Sequence, residues 1–514
     1  MQEGLAIPSR VEMKAAWQKV EPFVSTRRAA VTCFVAALAV FGIESIAWPL
    51  APGRDAATYL DYYVDMWHAK PAYPFLMLFR TPVAPLFYGV LLQVGGPVLA
   101  ECGMALAYAT SVLAFALAAR RLGSATAVLT AIVLLALPGY GALFHQVSSD
   151  PIFALTVALF SLAVIDAIAA PSTRRWGLAG LVFAVMVLTR PGAEILIVVG
   201  LVALVLARPW RARLAATAAY VGVAAAILLS WSAYNDVRYG DFTIARGAWA
   251  GTPFYRTFVM EKIVRPDNGP ASRKLAAAVS TDLLTKPPYA GHISVDQFFA
   301  IANDNMWSDL VYLSDRHFGW GSNYTVLRDA ALEAIRRHPK LYLRDVASGM
   351  WSEVSTPYPR PAVHLQTASP GAARPSKAAP APPAMFPGIH WWLSSTPNGR
   401  AADPARVARQ LGEAKLLEAN LPDRSGSPAV ATVLNDISRV FQRMEVWIAL
   451  GLLALLIRRP RGSLTLVVLL AGAVLVLLVT LAGYGPTPEY GLPFDPVFVL
   501  FGVGALTLPR RRGV

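Results

Sequence analysis

The sequence has few charged residues and few cysteines. Only 15% of its 514 residues are charged, whereas 55% are hydrophobic, and soluble domains carry about 25% charged residues. The two cysteines, Cys33 and Cys102, both lie inside apolar runs and exclude a disulfide-rich scaffold. The high hydrophobic content also excludes an intrinsically disordered chain. The composition therefore predicts a protein that crosses a membrane several times.

Motifs of several common enzyme classes are also missing. The sequence contains no P-loop, no Gly-x-Ser-x-Gly, no His-Glu-x-x-His and no Cys-x-x-Cys pattern. These absences argue against a primary ATP-driven pump and against the common hydrolases.

Ten apolar runs are candidates for membrane spans, for which about 17 to 25 residues are needed. Several of them are at or below the lower limit. The ten runs are 29–50, 98–119, 124–143, 151–170, 176–190, 192–207, 213–233, 442–457, 463–483 and 493–508. A further apolar stretch, 82–97, is broken by two prolines and by the turn signal Gly95-Gly96-Pro97.

The formal net charge of +14 first suggests nucleic-acid binding, but the placement of the basic residues gives another explanation. Together with residues 1–28, the basic clusters account for the whole positive excess, and cytoplasmic loops carry such clusters. The clusters are Arg27-Arg28, Arg120-Arg121, Arg174-Arg175, Arg208/Arg211/Arg213, Arg458-Arg459/Arg461 and Arg510-Arg511-Arg512. All six fall on one side only if 82–97 does not cross. We therefore predict ten spans, cytoplasmic termini, and a re-entrant or interfacial helix at 82–97 on the outer face.

This topology divides the chain into four parts. They are a cytoplasmic segment 1–28, a transmembrane module 29–233 with a first outer loop 51–97, an extracytoplasmic insert 234–441 with a Pro-rich linker 357–388, and C-terminal transmembrane helices 442–514. Within the insert, the spacing predicts helices over Tyr324–Trp351, interrupted at His338-Pro339, and over 403–420. Its tryptophans either anchor it at the membrane interface, which we favour, or stack on sugar rings.

Two aspartates are candidates for chemistry on the outer face. Asp55 directly follows the first span, where a carboxylate can act as general base on a hydroxyl. Asp150 precedes Pro151 at the start of the fourth span. Local sequence favours a helix N-cap for both, because Asp is common at that position and Pro is common directly after it.

Charged residues of the opposite sign fall on the same predicted face. Arg80 precedes the re-entrant helix, and Arg190 lies in a Leu-Thr-Arg-Pro break near Glu194. Two arginines can hold a phosphate through bidentate hydrogen bonds, or they can extend to the lipid headgroups. Tyr59, His68 and Glu194 are expected to contact substrate, although a lone histidine such as His68 is more often a hydrogen-bonded bystander.

Several short motifs occur in a characteristic order. They are Gly53-Arg54-Asp55, Arg80-Thr81-Pro82-Val83-Ala84-Pro85, Ala119-Arg120-Arg121-Leu122-Gly123, Ser148-Ser149-Asp150, Leu188-Thr189-Arg190-Pro191 and Pro488-Glu489-Tyr490-Gly491-Leu492-Pro493. In this order they resemble the C-type (GT-C) integral-membrane glycosyltransferases, and the branch with the protein O-mannosyltransferases and the lipid A aminoarabinose transferases is the most similar. The resemblance extends over roughly 1–235 and, loosely, over 440–514.

The resemblance implies a polytopic all-α GT-C-like bundle that transfers a sugar from a polyprenyl-phosphate donor to an extracytoplasmic acceptor hydroxyl with inversion. It implies that Asp55 is the catalytic base, that Asp150 is a second essential carboxylate, and that Arg80 and Arg190 bind the donor phosphate. The paired Asp-Glu of the family is Asp55-Ala56 here, so no metal site is predicted. Glu489 stands where the family commonly has Arg.

The resemblance also implies its partners and location: membrane lipids, the lipid-linked donor, a glycan, lipid or protein acceptor, and no nucleic acid. The abundance of Ala, Arg, Val and Leu is typical of a GC-rich bacterial genome, so we expect a bacterial plasma (inner) membrane. Two alternatives remain open. One is a lipid-linked sugar flippase or transporter without chemistry, although no inverted repeat is visible. The other is a cell-envelope assembly protein that acts through 234–441.

Overall fold

The computed structural model describes residues 21–22, 24, 26–72, 78–206, 209–358, 396–400, 403–421, 425–458, 462–487 and 489–509. Most of the predicted cytoplasmic segment 1–28 and of the Pro-rich linker 357–388 lies outside these residues, as does the basic cluster at 510–512.

The part of the chain before the insert is helical apart from one short strand pair. Its elements are α1 (Arg27–Ala47), β1 (Ala51–Pro52), α2 (Ala56–Trp67), α3 (Val83–Leu122), α4 (Ser124–Leu135), α5 (Pro138–Ala142), β2 (Gln146–Val147), α6 (Ser149–Ala169), α7 (Thr173–Val187), α8 (Pro191–Leu206, of which Pro191–Leu201 is 3-10) and α9 (Trp210–Tyr239).

Within the described residues, the insert and the C-terminal region contain eleven α-helices. They are α10 (Ala248–Tyr255), α11 (Pro270–Ala278), α12 (Val295–Ala300), α13 (Asp304–Phe318), α14 (Thr325–Arg337), α15 (Pro339–Ser355), α16 (Pro404–Ala419), α17 (Pro428–Phe441), α18 (Met444–Arg458), α19 (Ser463–Tyr484) and α20 (Asp495–Thr507). The helix predictions for Tyr324–Trp351, with its break at His338, and for 403–420 are confirmed.

Each of the ten predicted apolar runs coincides with helix. Among the described residues, six helical segments are long and apolar enough to span a membrane, or seven if the bent pair α4–α5 is one span. Shorter apolar helices, α7, α8 and the segment that ends in α20, account for the other runs. The polytopic all-α fold is confirmed, because long apolar runs must satisfy their backbone hydrogen bonds internally and do so as helices.

The apolar stretch 82–97 forms the first part of α3, which is interrupted at Gly96. Gly96 has a positive φ of 60°, and a Cβ added at Gly103 would lie 2.6 Å from the Leu91 side chain and 3.5 Å from Phe87. In a continuous helix Phe87 and Gly103 would be about 24 Å apart. The two parts of α3 therefore fold back on each other, which supports the interpretation of 82–97 as a helix distinct from the following span.

A two-residue parallel strand pair joins the first outer loop to the start of α6. Ala51 pairs with Gln146, Pro52 pairs with Val147, and the Gly53 N–H donates to the Val147 carbonyl over 3.2 Å. This pairing was not predicted, because two-residue strands have no periodicity that a sequence could display. It places the loop that carries Asp55 beside the loop that leads to Asp150.

The insert has its own hydrophobic core but is not detached from the bundle. Aromatic and aliphatic side chains of α10–α14 form that core, and the buried Arg246 pairs with Asp241 and Asp315 at 2.7 and 2.6 Å. Helix α16 instead packs on α2, where Gln410 Nε2 donates to Asp61 Oδ1 over 2.9 Å. The insert therefore reaches back onto the first outer loop.

We expect Gly53→Ala to lower the thermal stability of the purified protein. A Cβ at this position would lie 2.9 Å from the Val147 carbonyl oxygen, a backbone atom that cannot move aside without disturbing the strand pair. Such overpacking costs about 1–3 kcal/mol. The matched control is Gly42→Ala on α1, where no atom lies within 4 Å of the added methyl group. Melting curves in detergent that show the same midpoint for Gly53→Ala and Gly42→Ala would contradict the expectation.

Candidate functional site

A cavity of about 1030 Å³ lies between the membrane-spanning bundle and the insert. The bundle side is formed by the first outer loop, the starts of α6 and α8, the α7–α8 connection and the C-terminal end of α19. Six of the seven predicted site residues line the cavity: Asp55, Tyr59, Arg80, Asp150, Arg190 and Glu194. The bundle thus brings together residues that are up to 139 positions apart in the sequence.

Asp55 and Arg80 form the first of two ion pairs that face this cavity. Arg80 Nη2 lies 2.8 Å from Asp55 Oδ2, and the Arg80 guanidinium lies over the Tyr59 ring at 5.3 Å from its centre. Asp55 stands at the N-cap position of α2, but its side chain makes no capping hydrogen bond. The predicted N-cap position of Asp55 is therefore confirmed, but its carboxylate turns to the arginine and does not cap the helix.

The backbone of Asp55 is strained. Its φ is +65°, in the left-handed region that residues other than glycine, asparagine and aspartate rarely adopt. Such outliers persist only where the surrounding structure imposes them, and they concentrate at functional sites. The Asp55 carboxylate lies at the wall of the cavity.

Asp150 and Arg190 form the second ion pair, and Arg190 Nη1 donates to Asp150 Oδ1. Helix α6 begins at Ser149, and its N-cap is Ser148, whose hydroxyl accepts from the Asp150 N–H. The N-cap prediction for Asp150 is therefore wrong by two positions. Asp150 lies in the first turn of α6, where the helix dipole favours a negative charge.

Tyr490 contacts Arg190 of the second pair and Arg54, the neighbour of Asp55, and was not predicted as a site residue. Its ring lies between the guanidinium groups of Arg54, at 5.0 Å, and Arg190, at 4.8 Å. Arg54 also donates to the Thr487 hydroxyl over 3.3 Å. The signal that indicates Tyr490 is its place in the Pro-Glu-Tyr-Gly-Leu-Pro motif. Glu489, the departure from the family pattern, accepts from the Tyr358 hydroxyl at 2.9 Å and so faces the insert.

Glu353, on α15 of the insert, holds the loop that carries Tyr490. Its two carboxylate oxygens accept from the Thr487 N–H over 3.1 Å and from the Gly491 N–H over 2.8 Å. Burial raises the pKa of Glu353 to about 7, although these two hydrogen bonds and Arg190 act in the opposite direction. No local sequence signal identifies Glu353, because its role depends on a loop 134 residues away.

His68 is not brought to the cavity. Its Nε2 lies 3.1 Å from Glu413 Oε2 on α16, so its contact with the insert is a helix-docking contact. The histidine was expected to bind substrate. Helix α2 leaves the cavity after Tyr59, so His68 at its C-terminal end lies outside, and the first outer loop returns to the cavity only at Phe79 and Arg80.

The cavity is electrostatically mixed. Three arginines, Arg54, Arg80 and Arg190, and four carboxylates, Asp55, Asp150, Glu194 and Asp304, line it. Burial lowers the pKa of the Arg80 guanidinium, but Asp55 and Tyr59 outweigh this effect and raise it overall. The arginines can therefore hold an anion such as a phosphate, and the adjacent carboxylates can accept a proton. Within the described ranges, no three His, Cys, Asp or Glu side chains are grouped closely enough to hold a metal ion by themselves.

The pH dependence of stability tests the buried carboxylate of Glu353. Its pKa of about 7 in the folded protein exceeds the ordinary 4.5, so the folded state binds more protons between these values. The contribution of Glu353 to the free energy of unfolding therefore falls as pH rises from 4.5 to about 7 and is constant outside this window. We expect Glu353→Gln to gain stability relative to wild type across the window, by at most on the order of 3 kcal/mol.

The measurement is the melting temperature of both proteins at intervals from pH 4 to pH 8. Glu418→Gln, at a half-buried position of α16, is the matched control and should follow wild type at every pH. A difference between wild type and Glu353→Gln that does not change with pH would contradict the expectation.

A family model and two kinds of solved structure match the chain. The model described as dolichyl-phosphate-mannose-protein mannosyltransferase matches residues 80–234, a range that begins at Arg80 and contains Asp150 and Arg190. ArnT from Cupriavidus metallidurans bound to undecaprenyl phosphate is 15% identical, with 94% of this chain and 78% of that chain covered and a TM-score of 0.36. The Archaeoglobus fulgidus oligosaccharyltransferase in complex with Zn and sulfate is 12% identical, with 92% and 48% covered and a TM-score of 0.37.

No curated protein matches the chain. The family match covers four of the six motifs, and residues of three of these, at Arg80-Thr81, Ser149-Asp150 and Thr189-Arg190-Pro191, line the cavity. This protein is a multi-pass membrane protein that resembles the GT-C integral-membrane glycosyltransferases, as its motifs predicted.

Proposed function

We propose that the protein transfers a sugar from a polyprenyl-phosphate donor to a hydroxyl group of an extracytoplasmic glycan, lipid or protein. The observation that carries this proposal is the pair of Asp–Arg contacts, Asp55–Arg80 and Asp150–Arg190, that face one cavity at the end of the helical bundle. A transferase of this kind needs a base for the acceptor and cations for the leaving phosphate, and the two pairs supply both.

Asp55 is the proposed base. Its side chain is 34% exposed, so an acceptor hydroxyl can reach it from the cavity. The carboxylate takes the hydroxyl proton while the acceptor oxygen attacks the anomeric carbon. The bond from that carbon to the phosphate oxygen breaks on the opposite side, and the configuration at the anomeric carbon inverts.

Arg80 and Arg190 are the proposed phosphate contacts. The leaving polyprenyl phosphate gains negative charge as the bond breaks, and cations already fixed in a largely buried wall stabilise that charge without reorganisation. Asp150 holds Arg190, and Tyr490 packs between Arg190 and Arg54. Tyr59 and Glu194, which also line the cavity, are the proposed substrate contacts. The proposed reaction uses the lipid-linked sugar as donor and no further cofactor.

The family match supports the class of donor, since the family description names a sugar carried on a polyprenyl phosphate, dolichyl phosphate. Such a donor has a membrane-embedded tail and a head at the membrane surface. A cavity bordered by the ends of apolar helices on one side and by the insert on the other suits that geometry.

Loss of transfer in Asp55→Asn tests the proposed base. General-base catalysis contributes about 10²–10⁴-fold, so we expect the rate to fall by that factor while the fold is retained. Asparagine keeps the size and polarity of the side chain but cannot accept the proton. The measurement is mass spectrometry of cell-envelope glycans in cells that lack the protein and are complemented with each variant. Asp296→Asn, exposed on α12 and outside the cavity, is the matched control. Full transfer by folded Asp55→Asn would refute the assignment.

We also propose that the cavity lies on the outer face of a bacterial plasma membrane and that both termini are cytoplasmic. Arg120-Arg121 lie in the last turn of α3, where Arg121 pairs with Asp166 near the end of α6, and Arg174-Arg175 lie in the first turn of α7. Both basic pairs are thus at the opposite end of α6 and α7 from Asp150 and Arg190, which suits the retention of positive charge in the cytoplasm.

Cysteine accessibility tests this orientation. In a background without Cys33 and Cys102, a cysteine at the exposed position Arg273 of the insert should react with a membrane-impermeant maleimide in intact cells. A cysteine at Arg174, which is equally exposed but predicted to be cytoplasmic, should react only after permeabilisation. The reverse pattern would overturn the topology.

A further inference from the structure

We propose that the wall of the cavity contributed by the insert is an acceptor subsite for a carbohydrate that carries no negative charge. The inference rests on the proposed function, and it identifies the chemical class of the acceptor. The insert wall is defined here as Trp249, Tyr255, Asp304, Asn305, Trp307 and Ser308.

The cavity has two chemically different sides. Its three arginines, Arg54, Arg80 and Arg190, all come from the first outer loop and the α7–α8 connection. Among the described residues that line the insert side, none is basic and one, Asp304, is acidic. A phosphate group is therefore stabilised on the bundle side, and the insert side is left for the other reactant.

The size of the cavity agrees with two reactants. At about 1030 Å³ it is as large as the upper end of the range for small-molecule pockets, about 300–1000 Å³. The head of a lipid-linked sugar fills part of such a volume. The remainder on the insert side can hold the acceptor next to Asp55.

Aromatic rings form the apolar part of the insert wall. Tyr255 meets Trp307 edge to face, with ring centres 5.4 Å apart, and Trp307 donates its indole N–H to the Gly251 carbonyl over 3.2 Å. Trp249 is 54% exposed, and the guanidinium of Arg328, which is paired with Asp329, lies over its ring at 4.7 Å from the ring centre. Burying an amphipathic aromatic surface against a ligand gives large contact area, and sugar rings present C–H groups that suit such a surface.

Polar groups lie beside these rings on the first turns of α13. Asp304 accepts from the Tyr255 hydroxyl over 2.7 Å, which fixes the carboxylate at the cavity wall. Asn305 and Ser308 line the cavity next to it. An amide, a hydroxyl and a carboxylate beside aromatic rings match the alternating polar and apolar surface of a sugar ring.

The charge of the insert wall sets the selectivity. A carboxylate or phosphate on the acceptor would approach Asp304, the one charged residue that the insert contributes to the described lining, and like charges at short range repel. Arg54 acts electrostatically on Tyr255 in this wall, but it lies 4.0 Å from Asp55, whose negative charge offsets it. Neutral sugars are accepted, and amino sugars gain from Asp304. The subsite thus discriminates against uronic acids and phosphorylated sugars.

Saturation-transfer NMR on the full chain in nanodiscs tests the subsite with three probes: methyl glucoside, methyl glucosaminide and methyl glucuronide. We expect saturation transfer to the neutral and amino glycosides and roughly tenfold weaker binding of the glucuronide. Trp249→Ala should weaken the binding of methyl glucoside and of methyl glucosaminide roughly fivefold or more, since it removes aromatic contact area. Asp304→Asn should weaken only the glucosaminide, roughly tenfold, because a hydrogen bond to a charged partner becomes a neutral one.

Matched controls and the donor separate the outcomes. Trp351→Ala, an equally exposed tryptophan of the insert outside the cavity, and Asp296→Asn should bind as wild type does. The inference is overturned if no glycoside binds, if the glucuronide binds best, or if Trp249→Ala and Asp304→Asn bind like their controls. Competition by undecaprenyl-phosphate glucose would show that the wall holds the donor sugar and would overturn the acceptor assignment.

A parallel transfer assay keeps this test distinct from that of the proposed function. Selective glycoside binding without transfer from any polyprenyl-phosphate sugar would refute the proposed function and leave a carbohydrate site. Transfer in which both wall variants keep the wild-type KM for the acceptor would preserve the function and refute the subsite.

Discussion

Pairing of each cavity arginine with a carboxylate is the constraint on which the site depends. Charges at the end of an apolar bundle are costly unless they are compensated, so Asp55 and Arg80 approach each other across the first outer loop, and Asp150 approaches Arg190 across two helix ends. Tyr490 then packs against Arg190 and Arg54. Elements far apart in sequence are held together because a carboxylate on one element pairs with an arginine on another.

The insert takes part in this arrangement and does not form a separate module. Glu353 holds the Tyr490 loop through two backbone N–H groups, and Tyr358 donates to Glu489 in the same loop. On the other side of the cavity, Gln410 of α16 binds Asp61 on α2. The insert thus contacts the loop that carries Tyr490 and the first outer loop, which carries Arg54 and Arg80. A change in the insert is therefore transmitted to the site through specific hydrogen bonds.

The sequence was sufficient for the parts that depend on local composition. Apolar runs indicated the membrane helices, and six of the seven site residues predicted from the motifs and charges line the cavity. The roles that the sequence did not predict depend on contacts between residues that are distant in the chain. Asp55 and Asp150 look like helix caps within their own segments, yet each carboxylate has an arginine partner 25 or 40 residues away. Glu353 has no motif, and His68 pairs with a helix 345 residues away. Local patterns predict the elements and their faces, whereas pairing across elements requires the fold.

The Asp55–Arg80 contact raises the question of how a paired carboxylate can serve as a base. In the proposed reaction Asp55 and Arg80 form a neutral ion pair before transfer. When Asp55 takes the acceptor proton it becomes neutral, so the positive charge of Arg80 is no longer balanced at the moment when the leaving phosphate becomes negative. The electrostatic stabilisation is therefore larger in the transition state than in the ground state, which is the condition for an interaction to accelerate the chemical step. The ion pair thus couples proton transfer at the acceptor to charge development at the donor.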